Sequence, residues 1–347
     1  FQRGYPFYDR RTANINKVLT ETDRGKRIME RQIVTLEDIA ERLGTTKNTV
    51  SRALRDCSDI GSAMKERVKQ AAMEMGYVPN RIAGFLRSKR SNIIAVAITS
   101  LTNPFFSVCM DFCTDYMAEK GYRPLISIVR DNLKQEDIIS CIQNGACGIM
   151  TFLDITDEGI DYCEKNNIPV LVCGVKPRRD RVCAIYSDSY QCSRLVAQEA
   201  FACGAKKPCY VGGDKLWRED DRRDGFISIL KERGLDCDVY YYNYFAKEQA
   251  LEKIKRNVLE NGNDFIFCFN DEIASGVQEA METEKRFQGE IYGVDRFSEY
   301  LPYCRKVKSV GGRLSAIGRR SAQLLIRKIE KYDGKIVREI FPVELSK

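Results

Sequence analysis

The chain has 347 residues, 44% of them hydrophobic and 30% charged, with 56 Lys and Arg against 49 Asp and Glu, 14 cysteines and no histidine. That length suits two or three domains with substantial cores, and no apolar run approaches the ~20 residues that a membrane helix needs. The missing histidine removes the usual general base, and with it Ser-His-Asp or Cys-His catalysis, so an enzyme is not expected.

The cysteines form no CxxC pair, and many sit inside apolar runs, as do Cys173 and Cys268. They read as small buried hydrophobes of a reducing cytosol, with no metal and no cofactor expected. Residues 1–32 are polar and basic and lack the apolar core of a secretory signal. They are expected to be disordered.

From residue 33 the pattern becomes helical. Leu36, Ile39, Ala40 and Leu43 share one face at spacings of three, four and seven. Thr35 stands before them as an N-cap, with Asp38 three residues on as a near capping box. Gly44 permits a sharp turn into a second short helix with Val50, Ala53 and Leu54 on its inner stripe. A third, from 62 to about 75, supplies Met64, Val68, Ala71, Ala72 and Met75. The second helix keeps Thr45, Thr46, Lys47, Asn48, Thr49, Ser51 and Arg52 outside the stripe. Hydroxyls, an amide and cations on one rigid face suit phosphates and base edges in a major groove, which predicts a helix-turn-helix over 33–79. A bare three-helix bundle with a solvated polar face is the bland alternative.

Charge agrees with the nucleic-acid reading. Residues 1–92 hold 19 Lys and Arg against 11 Asp and Glu, leaving 37 against 38 for the rest. A cationic front end on a neutral body is the footprint of a DNA-binding head. Residues 80–92 follow as a basic linker, too short to be a stable helix alone but able to become one against phosphates.

The body, 93–347, alternates apolar strand-like runs with amphipathic stretches. The strand candidates are 93–98, 124–129, 148–153, 169–174, 183–187, 208–213, 238–242, 265–269 and 290–294. Helical periodicity lies between most of them, as at 105–120, 190–204, 222–233, 247–260 and 271–284. This predicts parallel sheets covered on both faces and divided between two doubly wound α/β subdomains with a cleft between them. Polar residues just beyond strand ends are the ligand candidates: Asn103 with Phe105, Asp154, Asp188, Arg222, Asn270 with Asp271, and Asp295 with Arg296. Each also reads as a helix cap or turn. Together they offer carboxylates, an amide, a guanidinium fork and a flat ring, which suit a polyhydroxylated ligand. Trp217, Tyr242, Tyr244 and Phe245 could add stacking faces.

These motifs resemble the lactose-repressor (LacI/GalR-type) family of bacterial transcriptional regulators over residues 33–346. The head pattern runs from Val34 to Leu54 and a hinge pattern from Tyr77 to Leu86. NPFF at 103–106, Arg222 to Phe226, Asn270 to Gly276, Gly293 to Asp295 and Pro342 to Leu345 follow in family order.

The resemblance implies that Thr35 and Thr46 contact phosphates while Lys47, Asn48 and Arg52 face bases, with Thr49 and Ser51 on the same helix. Leu86 would wedge into a minor-groove step with Asn80 and Ala83 beside it. Phe105, Asp154, Arg222, Asn270 and Asp295 would line the effector cleft of a periplasmic-binding-protein-like body. A proximal lobe of 93–189 plus about 312–336 and a distal lobe of about 190–311 plus 337–347 are expected.

The implied protein is a cytoplasmic repressor at the nucleoid, a homodimer on a near-palindromic double-stranded DNA operator. It would be controlled by a small molecule, a carbohydrate before a nucleoside or a protein corepressor. No heptad tail follows Leu345, which favours the dimer over a tetramer. Gly311-Gly312-Arg313 departs from the family pattern, as do Gly84 and Phe85 in the hinge. A solute-binding protein or an α/β enzyme would share the body's topology, since fold alone does not fix function.

Overall fold

The computed structural model describes residues 34–77, 91–213, 220–244, 246–282, 284–302 and 304–346. The expectations for residues 1–32, for Asn80, Ala83 and Leu86 in the hinge, and for Trp217 and Phe245 fall outside the described residues.

The head is one compact unit of three helices, α1 (Leu36–Leu43), α2 (Lys47–Leu54) and α3 (Ser62–Met75). Thr35 starts α1 with a complete capping box: its hydroxyl accepts from the Asp38 N–H at 3.3 Å, and its own N–H donates to Asp38 Oδ2 at 2.7 Å. Thr46 caps α2 by one bond, its hydroxyl accepting from the Thr49 N–H at 3.2 Å. Ile39, Ala40, Val50, Ala53, Val68, Ala71 and Ala72 are buried together, so each short helix finds in the other two the apolar contacts it cannot supply itself.

Among the described residues, the body carries two six-stranded sheets. The first, in order β11-β5-β4-β3-β1-β2, contains β1 (Ile93–Ile98), β2 (Arg123–Ile128), β3 (Ala146–Thr151), β4 (Val170–Cys173), β5 (Cys183–Ser187) and β11 (Arg338–Phe341). All its pairings are parallel. The second, in order β12-β10-β9-β8-β6-β7, contains β6 (Pro208–Gly212), β7 (Asp238–Tyr241), β8 (Phe265–Cys268), β9 (Glu290–Val294), β10 (Lys308–Gly311) and β12 (Glu344–Leu345). Among the described residues, its β10–β12 pair is antiparallel and its other pairings are parallel.

Crossover helices cover both faces. In the first lobe these are α4 (Pro104–Glu119), α5 (Gln135–Gln143), α6 (Asp157–Lys165) and α11 (Leu314–Glu330). In the second they are α7 (Ser189–Ala202), α8 (Asp221–Lys231), α9 (Lys247–Asn261) and α10 (Asp271–Met281). The central strands β6 and β8 are buried throughout and β1 from Ile94 on, as continuous apolar runs between two helical layers must be.

The chain passes between the lobes three times, after β5, after β10 and after β11. The last crossing corrects an expectation. Residues 337–347 do not all belong to the distal lobe: Arg338–Phe341 pairs in parallel with Cys183–Ser187 in the first sheet, and only Glu344–Leu345 joins the second. A four-residue strand beside a two-residue one, split by Pro342 and Val343, gives no sequence signal of which sheet each will pair with.

Candidate functional site: a cleft between two lobes and a helix-turn-helix face

The C-terminal ends of β4 and β5 in one sheet, and of β9 and β10 in the other, open onto a shared pocket. Phe105, Gly174, Ser187, Leu314 and Ile317 line it from the first lobe; Cys192, Arg222, Val294, Asp295 and Gly311 line it from the second, with Ser189 and Gly312 at the crossings. Parallel sheets place ligand-contacting loops at these ends because the crossover helices leave the carboxyl edges uncovered.

Arg222 and Asp295 form the polar centre. Asp220 fixes the start of α8, accepting from the Arg222 and Arg223 N–H groups at 3.2 Å each, and is itself held by the buried Tyr210 hydroxyl at 2.8 Å. The Arg222 guanidinium stacks over the Phe269 ring at 4.7 Å, hydrogen-bonds the Phe269 carbonyl, and reaches Asp295 Oδ1 at 3.5 Å. Both side chains are mostly buried, 17% and 11% exposed. Burial lifts the Asp295 carboxyl to about 6, against the opposing pull of Arg222. Asp295 and Arg296 both hold positive φ, 111° and 57°, a strained turn for residues other than glycine. Arg296 clamps it, pairing with Glu299 and Glu344 at 2.8 Å each.

Below this pair lies Asp271, fully buried. It accepts from Ser309 Oγ at 2.5 Å and from the Phe297 N–H at 3.1 Å. Burial and the nearby Asp295 charge raise its carboxyl well above the usual range. It braces the turn that carries Asp295.

Phe105 closes the opposite wall. Asn103 caps α4 by accepting from the Phe105 N–H at 2.9 Å, and Phe105 meets Phe152 edge-on at 6.0 Å. Gly174 lies under the ring with φ +80°, and an added Cβ would come within 2.7 Å of Phe105 Cζ. Gly312, the departure from the family pattern, lets the crossing pass Ser187, whose Oγ a Cβ would meet at 2.4 Å.

Of the five expected cleft residues, Phe105, Arg222 and Asp295 come together on the pocket. Asp154 does not line it: the carboxylate accepts from the Ile155 and Arg178 N–H groups at 2.9 and 3.3 Å and serves as a turn brace. Asn270 is also off the lining. It caps α10, accepting from the Ile273 N–H at 3.0 Å and donating to the Tyr244 hydroxyl at 3.2 Å. Asp188 caps α7 by accepting from the Tyr190 and Gln191 N–H groups. Tyr242 is a core residue. Sequence reasoning missed Gly174, Ser187, Ser189 and Cys192, although Ser187 and Ser189 flank the Asp188 it chose.

On the head, Lys47 and Asn48 are exposed and Thr49, Ser51 and Arg52 are half-buried. Lys47 is ion-paired with Glu37 and Arg52 with Asp59. Those pairs hold both carboxyls below their ordinary range. Residues 34–77 contain seven Lys and Arg and seven Asp and Glu. The net excess of the front end therefore lies at 1–33 and 78–92, on either side of the three-helix unit in sequence, because Glu37 and Asp59 balance the two cations of α2.

Residues 35–80 match the bacterial regulatory proteins of the lacI family, and residues 94–337 match the periplasmic binding protein domain. The ribose operon repressor of Lactococcus lactis subsp. lactis is 26% identical over 236 residues, 67% of this chain and 70% of that protein. The HTH-type transcriptional regulator GntR of Escherichia coli K12 is 28% identical over 264 residues, 72% of this chain and 76% of its own. The crystal structure of a lacI-family transcriptional regulator from Silicibacter pomeroyi superposes with a TM-score of 0.76 at 24% identity, covering 90% of this chain and 98% of its own, a likeness of fold.

Proposed function

Because this chain belongs to the lacI family of bacterial regulatory proteins, DNA-binding transcriptional regulators and not enzymes, we propose that it is a cytoplasmic repressor. It binds a near-palindromic operator as a homodimer and answers to a sugar or sugar derivative held between its lobes. Lys47, Asn48 and Arg52 read base edges, Thr35 and Thr46 sit against phosphates, and Thr49 and Ser51 complete the docked face. Leu86, with Asn80 and Ala83, kinks the minor groove between half-sites.

The observation that carries the ligand reading is the Arg222–Asp295 pair, facing Phe105 across a pocket lined by both sheets. A guanidinium and a carboxylate side by side donate to and accept from adjacent hydroxyls, and a phenyl ring covers an apolar sugar face. The relatives' association with ribose in one printed name supports the same ligand class. Asp154 and Asn270 act behind the pocket, Asp154 holding the 178 loop and Asn270 the start of α10.

A ligand spanning both walls favours one relative setting of the lobes. Operator affinity changes to the extent that the ligand binds that setting better. A thermal-shift screen of pentoses, hexoses and sugar acids against nucleosides, followed by operator gel shift with each hit, tests the proposal. A carbohydrate that stabilises the chain and changes operator affinity is the expected result. Stabilisation by nucleosides alone would overturn the ligand class, and no sequence preference for any promoter fragment would overturn the regulator.

A further inference from the structure

Cys109 and Cys113 lie one turn apart on one face of α4, and Cys173 ends β4 against that face. Their three sulfurs lie within 4.8 Å of one another, all fully buried. Cys109 and Cys173 Sγ are 3.8 Å apart, Ser321 Oγ donates to Cys173 Sγ at 3.2 Å, and Cys113 Sγ lies 3.2 Å from the Gly318 carbonyl. The sequence hides this set, because the third thiol stands some sixty residues from the other two and no CxxC spacing announces it.

We propose that Cys109, Cys113 and Cys173 form a three-sulfur site for a thiophilic d10 cation, monovalent copper fitting best. A metal–sulfur distance of ~2.3 Å in a trigonal plane separates sulfurs by about 4 Å, close to the spacing already present. Thiolate donors select soft cations, and a trigonal sulfur set lacks the fourth ligand of structural zinc. Each thiol that ionises on coordination gives its proton to solvent, and the cation compensates the thiolate charge within the apolar core.

The way in is the ligand cleft. Cys173 adjoins Gly174 on the pocket wall, and Phe105, one turn before Cys109, covers that glycine.

The full-length reduced chain, titrated anaerobically with copper(I) against a chromophoric copper chelator, should take one equivalent from the chelator. The Cys109→Ala/Cys113→Ala/Cys173→Ala variant should lose that equivalent, and Cys113→Ala alone should weaken it at least tenfold. X-ray absorption of the loaded wild type should show a sulfur-only shell, changed in Cys113→Ala, so the site is tested even where the triple variant does not fold. Excess zinc(II) should leave the copper in place. Unaltered uptake in the variants, uptake no tighter than the chelator, an oxygen or nitrogen shell, or displacement by zinc would each overturn the site as drawn.

Discussion

Replacing Asp295 with Asn keeps the shape of the cleft carboxylate and removes its charge, so the cost of burying that charge becomes measurable. The folded carboxyl titrates at about 6 and the unfolded one near 3.8. The folded chain thus holds the proton more tightly. Stability from this group is fully present below about pH 4 and is lost as pH rises to about 6. The gap of about two units, at 1.36 kcal/mol each, corresponds to about 3 kcal/mol. At 11% exposure the side chain is poorly screened by solvent, so the figure needs little discount.

Urea unfolding of wild type and Asp295→Asn, stepped from about pH 4 to pH 8, gives the difference directly, because other carboxylates titrate in both proteins. Asp271 is present in both proteins, so the cost of its burial cancels and only its repulsion with Asp295 enters the difference. Wild type should lose ~3 kcal/mol relative to the variant between pH 4 and pH 7, most of it before pH 6. Curves that stay parallel within about 0.5 kcal/mol would show that the carboxylate carries no such cost. A sugar that hydrogen-bonds the ionised carboxylate should correspondingly bind about tenfold more weakly per unit of pH below 6.

Arg222→Ala should weaken carbohydrate binding at least tenfold and leave operator affinity without effector within about twofold, read by calorimetry and gel shift; equal loss of both would place Arg222 outside the ligand site. Gly174→Ala forces a Cβ into Phe105 at positive φ, and should lower the body's stability by about 1–3 kcal/mol in denaturant unfolding. Thr46→Ala removes the cap of α2, and should cost the head about 1 kcal/mol, seen as a lower melting temperature of the helical signal. Arg52→Ala should relax base preference at one operator position by about 1–3 kcal/mol in a competition gel shift, where an even loss across all sequences would mark a phosphate contact instead.

The capping residues, the apolar stripes and the parallel order of the core were legible in the sequence, because those features are local. Thr35 with Asp38 specifies a helix start by itself, and a run such as IIAVAI is buried on both faces wherever it lies. Cleft residues next to a long strand, such as Asp295 after EIYGV, were legible for the same reason. What tertiary structure decided is which neighbours meet across lobes and turns. Asp154 and Asn270 stand at strand ends as Asp295 does, yet backbone N–H groups claim their oxygens, and only the geometry of each turn chooses between brace and ligand. Arg338–Phe341 went to the first sheet and not the second, because the partner of a short edge strand is set by where the preceding helix α11 delivers the chain. The meeting of Cys109 and Cys113 with Cys173 was equally beyond sequence, since distances between chemically unmarked thiols arise only when a helix packs on a strand end.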